Sequence, residues 1–386
     1  MAALPVELVI ELMNAVRNTS DSRTAAKTFH TCALVSRTWH AAAIRYVWLD
    51  IHLPSLSKAQ ECIRSIQRYP RNARFTRSLT FNAGTPLRDH TKPEVEHTYE
   101  SVPYALSTSF PNVQQLVIDN ATIPIATLAS FFATSSSITS LSIYHWTGSV
   151  DPHSESAPPA SHLASLQTGI SRLTHVTAGA PTGTPCHIYN DSEKTVLSYI
   201  TSNVSTHLRS FAFTTYFKHY VDQCLESLAT QTCNLENLTL EKSATETSIL
   251  PIVRSNPNLK SINLNGTRAT DTVVETLIST CPHITSIDLA FSYITDRAIS
   301  SLTSPSAPHL TSLDLTNTYI SEEVFADYVK EKGGKLRRLI LKENRWVTER
   351  TLRAIEEFAP GVEVLEVDEL IWMGLCQPVG TLELEK

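Results

Sequence analysis

The pattern L-x-x-L-x-L, returning at nearly constant spacing through the second half of the chain, limits the fold more than any other feature. It stands as Leu235-x-x-Leu238-x-Leu240, Leu259-x-x-Ile262-x-Leu264, Ile284-x-x-Ile287-x-Leu289, Leu310-x-x-Leu313-x-Leu315, Leu336-x-x-Leu339-x-Leu341 and Val362-x-x-Leu365-x-Val367. The first positions lie 24 to 26 residues apart. A fixed period of this size marks an array of stacked coils, each burying its apolar stripe against its neighbours. Within a coil the alternating triplet reads as a short strand. At the ninth position comes a small polar residue, Ser243, Thr267, Ser292, Thr318 or Asn344, suited to bonding backbone groups where the chain leaves the strand. Ile294 and Ile320 follow, turned back inside, and then a helical stretch, with Thr295, Ser321 and Thr348 where N-caps are wanted. Pro257, Pro282, Pro308 and Pro360 end the helices before the next strand.

These are leucine-rich repeats, and the expected fold is α/β: a solenoid with a parallel concave sheet and convex helices. Toward the N-terminus the period loosens. Degenerate coils are expected at Leu208-x-x-Phe211-x-Phe213, Leu173-x-x-Val176, Ile138-x-x-Leu141-x-Ile143, Val113-x-x-Leu116-x-Ile118, Thr76-x-x-Leu79-x-Phe81 and Tyr46-x-x-Leu49-x-Ile51. Some intervals exceed one coil, so insertions are expected over 82–103, 147–162 and 178–194, where Pro, Gly and Ser gather. About 11–12 coils then fill residues 46–386: irregular over 46–207, regular over 208–370, with a cap or tail over 371–386. Residues 1–45 form a separate small helical domain.

Composition excludes several classes of function. Net charge is −6, from 32 basic and 38 acidic residues, which gives no bias toward nucleic acid or an anionic membrane. No stretch approaches a membrane span, and Glu7 and Glu11 interrupt an N-terminus that lacks a signal-peptide n-region. Seven scattered cysteines without CxxC spacing suggest a reduced intracellular protein, cytoplasmic or nuclear. Only 11 glycines occur, and no phosphate-loop, dinucleotide, nucleophile-elbow or HExxH motif is present. His145, His153, His162, His175 and His187 crowd the looped region with Cys186, without zinc-ligand spacing. Cys32 lies in an apolar run and reads as a structural thiol. No catalytic residue, metal site or cofactor is assigned, and the protein is expected not to be an enzyme.

The first 50 residues do not follow the repeat. Leu4, Leu8, Leu12 and Val16 recur at helical spacing behind Pro5. A second helical stretch runs from Thr24 to His30, and Cys32-Ala33-Leu34-Val35 leads into Ser36-Arg37-Thr38-Trp39. Leu4-Pro5-x-Glu7-Leu8 followed by Cys32-Ala33-Leu34-Val35-Ser36-Arg37-x-Trp39 resembles an F-box. With the coils behind it, the whole chain resembles the fungal F-box/leucine-rich-repeat proteins. Its centre, residues 18–30, departs from the family by lacking the usual Asp-Leu-Leu. The resemblance implies a non-catalytic adaptor of a Skp–cullin–F-box ubiquitin ligase, monomeric within the larger complex. Leu4, Pro5, Leu8, Leu12, Leu34, Val35 and Trp39 would then meet the Skp-type linker, helix edge in groove. The alternative is an interaction scaffold without ligase coupling, whose N-terminal helices only cap the first coil; Trp39 and Trp48 are placed to pack inward there.

On the concave face, the residues between and just after the strand leucines are expected to meet a protein substrate. Asn263, Asp288, Asp314 and Ile340 form one column, Asn265, Ala290, Thr316 and Lys342 a second. Phe291, Tyr293, Tyr319 and Arg345 lie past the strand ends. Aromatic and Arg side chains dominate binding hot spots, so the expected patch is Asp288, Phe291, Tyr293, Asp314, Tyr319 and Arg345. The alternative for Phe291 and Tyr293 is packing between coils. A basic string, Arg64, Arg68, Arg71, Arg74 and Arg77, lies at the junction of the two regions; it could meet an acidic partner, though it also reads as a solvated surface.

Overall fold

A computed structural model describes residues 5–19, 22–82, 104–119, 125–144, 160–179, 191–214, 218–242, 244–305, 307, 310–368 and 382–383. They fall into two units, residues 1–173 with 188–196, and residues 174–187 with 197–386.

The first unit begins with three helices: α1 (Val6–Thr19), α2 (Ser22–Ala33) and α3 (Arg37–Val47). Val9 and Met13 from α1, Ala25 and Phe29 from α2, and Ala42 and Ala43 from α3 close a small core. Phe29 and Tyr46 stack at 5.1 Å between ring centres, and the Tyr46 hydroxyl donates to Asn14 Oδ1 at 2.6 Å. The second helix is longer at both ends than the Thr24–His30 stretch expected. Ser36 caps α3, its Oγ accepting from Trp39 N at 3.3 Å. Then come β1 (Asp50–Leu53), α4 (Leu56–Arg68), β2 (Ser78–Asn82), β3 (Gln115–Asp119) and β4 (Ser140–Tyr144), each strand parallel to the one before. Helices Ile125–Thr134 and Ala160–Ser171 lie against each other, and Gly169 permits it: a Cβ there would stand 2.2 Å from the Phe132 ring.

The second unit repeats one coil more strictly. Its strands are β5 (His175–Gly179), β6 (Ser210–Thr214), β7 (Asn237–Glu241), β8 (Ser261–Asn263), β9 (Ser286–Asp288), β10 (Ser312–Asp314), β11 (Arg338–Ile340) and β12 (Val364–Glu366). They pair in order and in parallel, and β13 (Leu382–Glu383) joins β12 antiparallel. Leu238, Ile262, Ile287, Leu313 and Leu339 stand in one register row and are buried. Helices Glu246–Ser255, Asp271–Thr280 and Glu349–Phe358 stop just ahead of Pro257, Pro282 and Pro360. Twelve parallel strands with alternating helices are the leucine-rich-repeat fold expected from the period.

The small polar residues after each strand act as expected. Thr267, Ser292 and Thr318 donate to the carbonyls of Leu264, Leu289 and Leu315 at 2.6, 2.6 and 2.8 Å. Asn344 reaches further, donating to Leu315 O and Leu341 O and accepting from Thr318 N. Ser243 and Pro308 lie outside the described residues.

Two expectations need correcting. Ile51 pairs with Leu79 and Leu53 with Phe81, so the first coil is read as Trp48-x-x-Ile51-x-Leu53, two residues beyond the frame from Tyr46. The cause is that α3 runs on to Val47, taking Tyr46 into the helical core. The expected insertions are also narrower, because β5 reaches Gly179 and helices begin at Ala160 and Asp191. The rest of those segments, and of 371–386 apart from β13, lies outside the described residues.

Candidate functional site

Two surfaces carry the residues singled out from the sequence. The first is on the three-helix module. The core of α1 is made by Val9 and Met13, so Leu8 and Leu12, one turn apart on the other face, stay 50% and 46% exposed. Leu34 and Val35 occupy the turn after α2, where their N–H groups are spent on Thr31 O and Cys32 O. Their side chains are 86% and 62% exposed. Pro5, ahead of α1, is exposed as well, and Leu4 lies outside the described residues. Trp39 is partly buried against the helical core. Helix α3 touches the first coil at β1 and at the 3-10 turn Asn72–Phe75.

The second surface follows the strands of the second unit. Asn263, Asp288, Asp314 and Ile340 are successive partners in the parallel register, so the two carboxylates stand side by side. Each polar member also closes its own turn. Asn263 Oδ1 accepts from Asn265 N at 2.9 Å, Asp288 Oδ1 from Ala290 N at 3.0 Å, and Asp314 Oδ1 from Thr316 N at 2.9 Å. Burial pushes the Asp288 carboxyl up to about 6; the Ala290 N–H opposes this, while the charges of Asp314 and Glu241 add to it. Ala290 and Ile340 are buried and offer no surface.

Past the strand ends the chain takes the left-handed conformation once per coil, at Lys242, Gly266, Phe291, Asn317 and Glu343, with φ between 49° and 68°. That turn carries the ladder onward, since Gly266, Phe291 and Asn317 donate N–H to Ala290 O, Thr316 O and Lys342 O. Gly and Asn suit such backbone; a Phe there is strained by roughly 1–2 kcal/mol. Two residues on, Tyr293, Tyr319 and Arg345 occupy equivalent positions in successive coils, and Tyr319 N donates to Ile294 O beside Tyr293. Phe291, Tyr293 and Tyr319 are 44%, 56% and 68% exposed, so these rings do not serve to fill the core.

A third arrangement was missed from the sequence. The acid opening each helix accepts from the hydroxyl or N–H that caps the next. Thr270 Oγ1 donates to Glu246 at 2.6 Å, Thr295 N and Oγ1 to Asp271 at 2.8 and 2.7 Å, Ser321 N to Asp296 at 2.5 Å, and Thr348 Oγ1 to Glu322. The signal was present as Thr-Glu, Thr-Asp, Thr-Asp, Ser-Glu and Thr-Glu at positions 245, 270, 295, 321 and 348.

Burial raises the Cys32 thiol and pushes Cys62 and Cys281 up to about 11, away from thiolate character. Among the described residues no group of three or more His, Cys, Asp or Glu is placed to hold a metal ion, and no helix is long and apolar enough to cross a membrane.

No protein-family model matches the sequence, and no curated protein matches it. Among solved structures, a chain of the yeast Rad7–Elc1 complex is similar at 14% identity and TM-score 0.47, over 90% of each chain. An internalin from Listeria monocytogenes is similar at 13% identity and TM-score 0.41, over 82% of this chain and 95% of that one. Leiomodin-1 actin-binding site 2 is similar at 18% identity and TM-score 0.30, over 36% of this chain and 86% of that one. Likenesses at this level carry no weight for function.

Proposed function

We propose that the chain is a non-catalytic adaptor that recruits a protein substrate to a Skp–cullin–F-box ubiquitin ligase. The helical module docks the Skp-type linker, and the strand-end surface of the second unit holds the substrate. The observation that carries the docking half is the apolar set Leu8, Leu12, Leu34 and Val35, left exposed by a module whose own core is complete without them. Exposed apolar groups of this size on a small helical module mark a partner site. They coincide with the residues that the F-box resemblance assigns to the linker. For the substrate half, support comes from the exposed Phe291, Tyr293 and Tyr319, the adjoining Asp288 and Asp314, and Arg345.

Contact between α3 and the first coil favours a second reading, in which the helices serve as a cap. One experiment separates the two. Binding of purified full-length chain to a purified Skp-type linker is measured by biolayer interferometry, with melting temperature recorded in parallel. Leu34→Ser with Val35→Ser should weaken binding by about 2 kcal/mol or more and leave melting unchanged, since neither side chain joins the core. If the wild-type chain does not bind the linker, the ligase reading falls and the cap remains.

A further inference from the structure

The outward side of α4, and of the 3-10 turn Asn72–Phe75 that follows it, carries Arg64, Arg68, Arg71 and Arg74, all exposed. No Asp or Glu occurs from Cys62 through Arg88. Glu61, the nearest acid in sequence, is held by Lys58 at 2.7 Å. Among the described residues none of these four guanidinium groups forms a salt bridge, although the Arg64 charge adds to that of Lys58 in holding the Glu61 carboxyl low. In the second unit several cations are paired: Arg209 and Lys260 share Glu236, Arg297 meets Glu275, and Arg338 and Lys342 share Glu366. Like charges three and four residues apart oppose the helix and turn that carry them. The like charges of the four arginines therefore work against local stability, and the attraction of Arg64 to Glu61 offsets part of this.

Two rings are interleaved with these cations. Tyr69 and Phe75 are exposed, and the Arg68 guanidinium stands 5.4 Å from the Tyr69 ring centre. The turn is fixed in place, because Arg74 O accepts from Asn112 Nδ2 at 2.8 Å and from Arg77 at 3.0 Å. We propose that this face binds an acidic protein segment whose apolar side chains pack on Tyr69 and Phe75 while its carboxylates meet Arg64, Arg68, Arg71 and Arg74. Bidentate guanidinium–carboxylate pairing supplies the charge match. The size of the face selects the occupant. A helix of 13 residues is about 20 Å long, and the chain as a whole is acidic. A long polyanion such as nucleic acid would run off the basic face into like charge, whereas a short acidic segment lies wholly within it. This inference does not depend on the linker-docking reading.

The test is fluorescence anisotropy on the full-length chain with a labelled 12-residue peptide of Glu-Glu-Leu repeats. Its Gln-Gln-Leu counterpart and a 30-nucleotide single-stranded DNA serve as competitors. The acidic peptide should bind, the Gln peptide at least tenfold more weakly, and added salt should loosen the complex. Arg64→Glu with Arg71→Glu should weaken binding at least tenfold, and Tyr69→Ala with Phe75→Ala about fivefold. On the wild-type chain, which involves no question of folding, the peptide should protect the four arginines from phenylglyoxal. Absence of binding, equal binding of the Gln peptide, tighter binding of the DNA, or no protection of these arginines would each overturn the proposal.

Discussion

Replacing Asp288 by Asn should make the protein more stable at neutral pH. The carboxyl is raised from 3.8 to about 6, with burial as the main cause and the neighbouring Asp314 charge adding to it. About two pKa units at roughly 1.4 kcal/mol each give an upper figure near 3 kcal/mol. The side chain is only partly buried, so about 1–2 kcal/mol is expected after solvent screening. Asn keeps the Oδ1 acceptor for Ala290 N–H, and the preceding coil shows that it can, since Asn263 closes the same turn on Asn265. The sign follows from proton uptake. The folded state holds the Asp288 proton to higher pH than the unfolded chain does, so the contribution of Asp288 to stability falls as pH rises from about 4 to about 6 and is flat above. Urea unfolding of both proteins at pH 7.5 and pH 4 reads this directly, with the other carboxylates cancelling in the difference. The variant should lead at pH 7.5 by about 1–2 kcal/mol, seen as a higher urea midpoint, and lose that lead at pH 4. A variant less stable than wild type at pH 7.5, or a lead independent of pH, would refute the reasoning.

Further outcomes are expected from the same geometry. Phe291→Gly relieves left-handed strain and should leave melting unchanged or raise stability by about 1 kcal/mol; a loss above that would place the ring in the packing after all. Glu322→Ala removes the acceptor for Thr348 Oγ1 and for Thr351 N and Oγ1, and should cost about 1–2 kcal/mol in chemical unfolding. Although partial burial pushes the Glu322 carboxyl upward, the bonds from Thr348 and Thr351 outweigh it and hold the group below the usual range. That stabilisation is present above the ordinary glutamate range and fades as pH falls through it, so the cost of Glu322→Ala should shrink in acid. Tyr328→Phe deletes a buried hydroxyl that has no hydrogen-bond partner and should be neutral or stabilising by about 1 kcal/mol in thermal melts.

The coil period reached the structure nearly intact, because a strand leucine is dictated by burial and burial recurs every coil. Register was therefore legible from β2 to β4 and from β5 to β12. It slipped at β1, where the first position is Trp48 and the helix ahead ends in residues that mimic the repeat. The left-handed column was hidden because only Gly266 and Asn317 carry turn chemistry, while Lys242, Phe291 and Glu343 adopt the same backbone without announcing it. Leu8 and Leu12 were legible as an apolar stripe. Which of two stripes on α1 faces inward was decided by Phe29 and Ala42 on the other helices, which the local spacing does not encode.

The chain of acids and capping hydroxyls has a consequence for how such a protein changes length. Glu246, Asp271, Asp296 and Glu322 each accept from the hydroxyl or N–H that caps the helix of the next coil. Excising one whole period would bring an acid against the next capping residue in the same geometry, and duplicating one would do the same. Excising half a period would leave carboxylates facing apolar helix and capping groups facing nothing. Recombination within the gene can therefore lengthen or shorten the array only in steps of a full coil, and the surface available to a partner grows or shrinks in the same quanta.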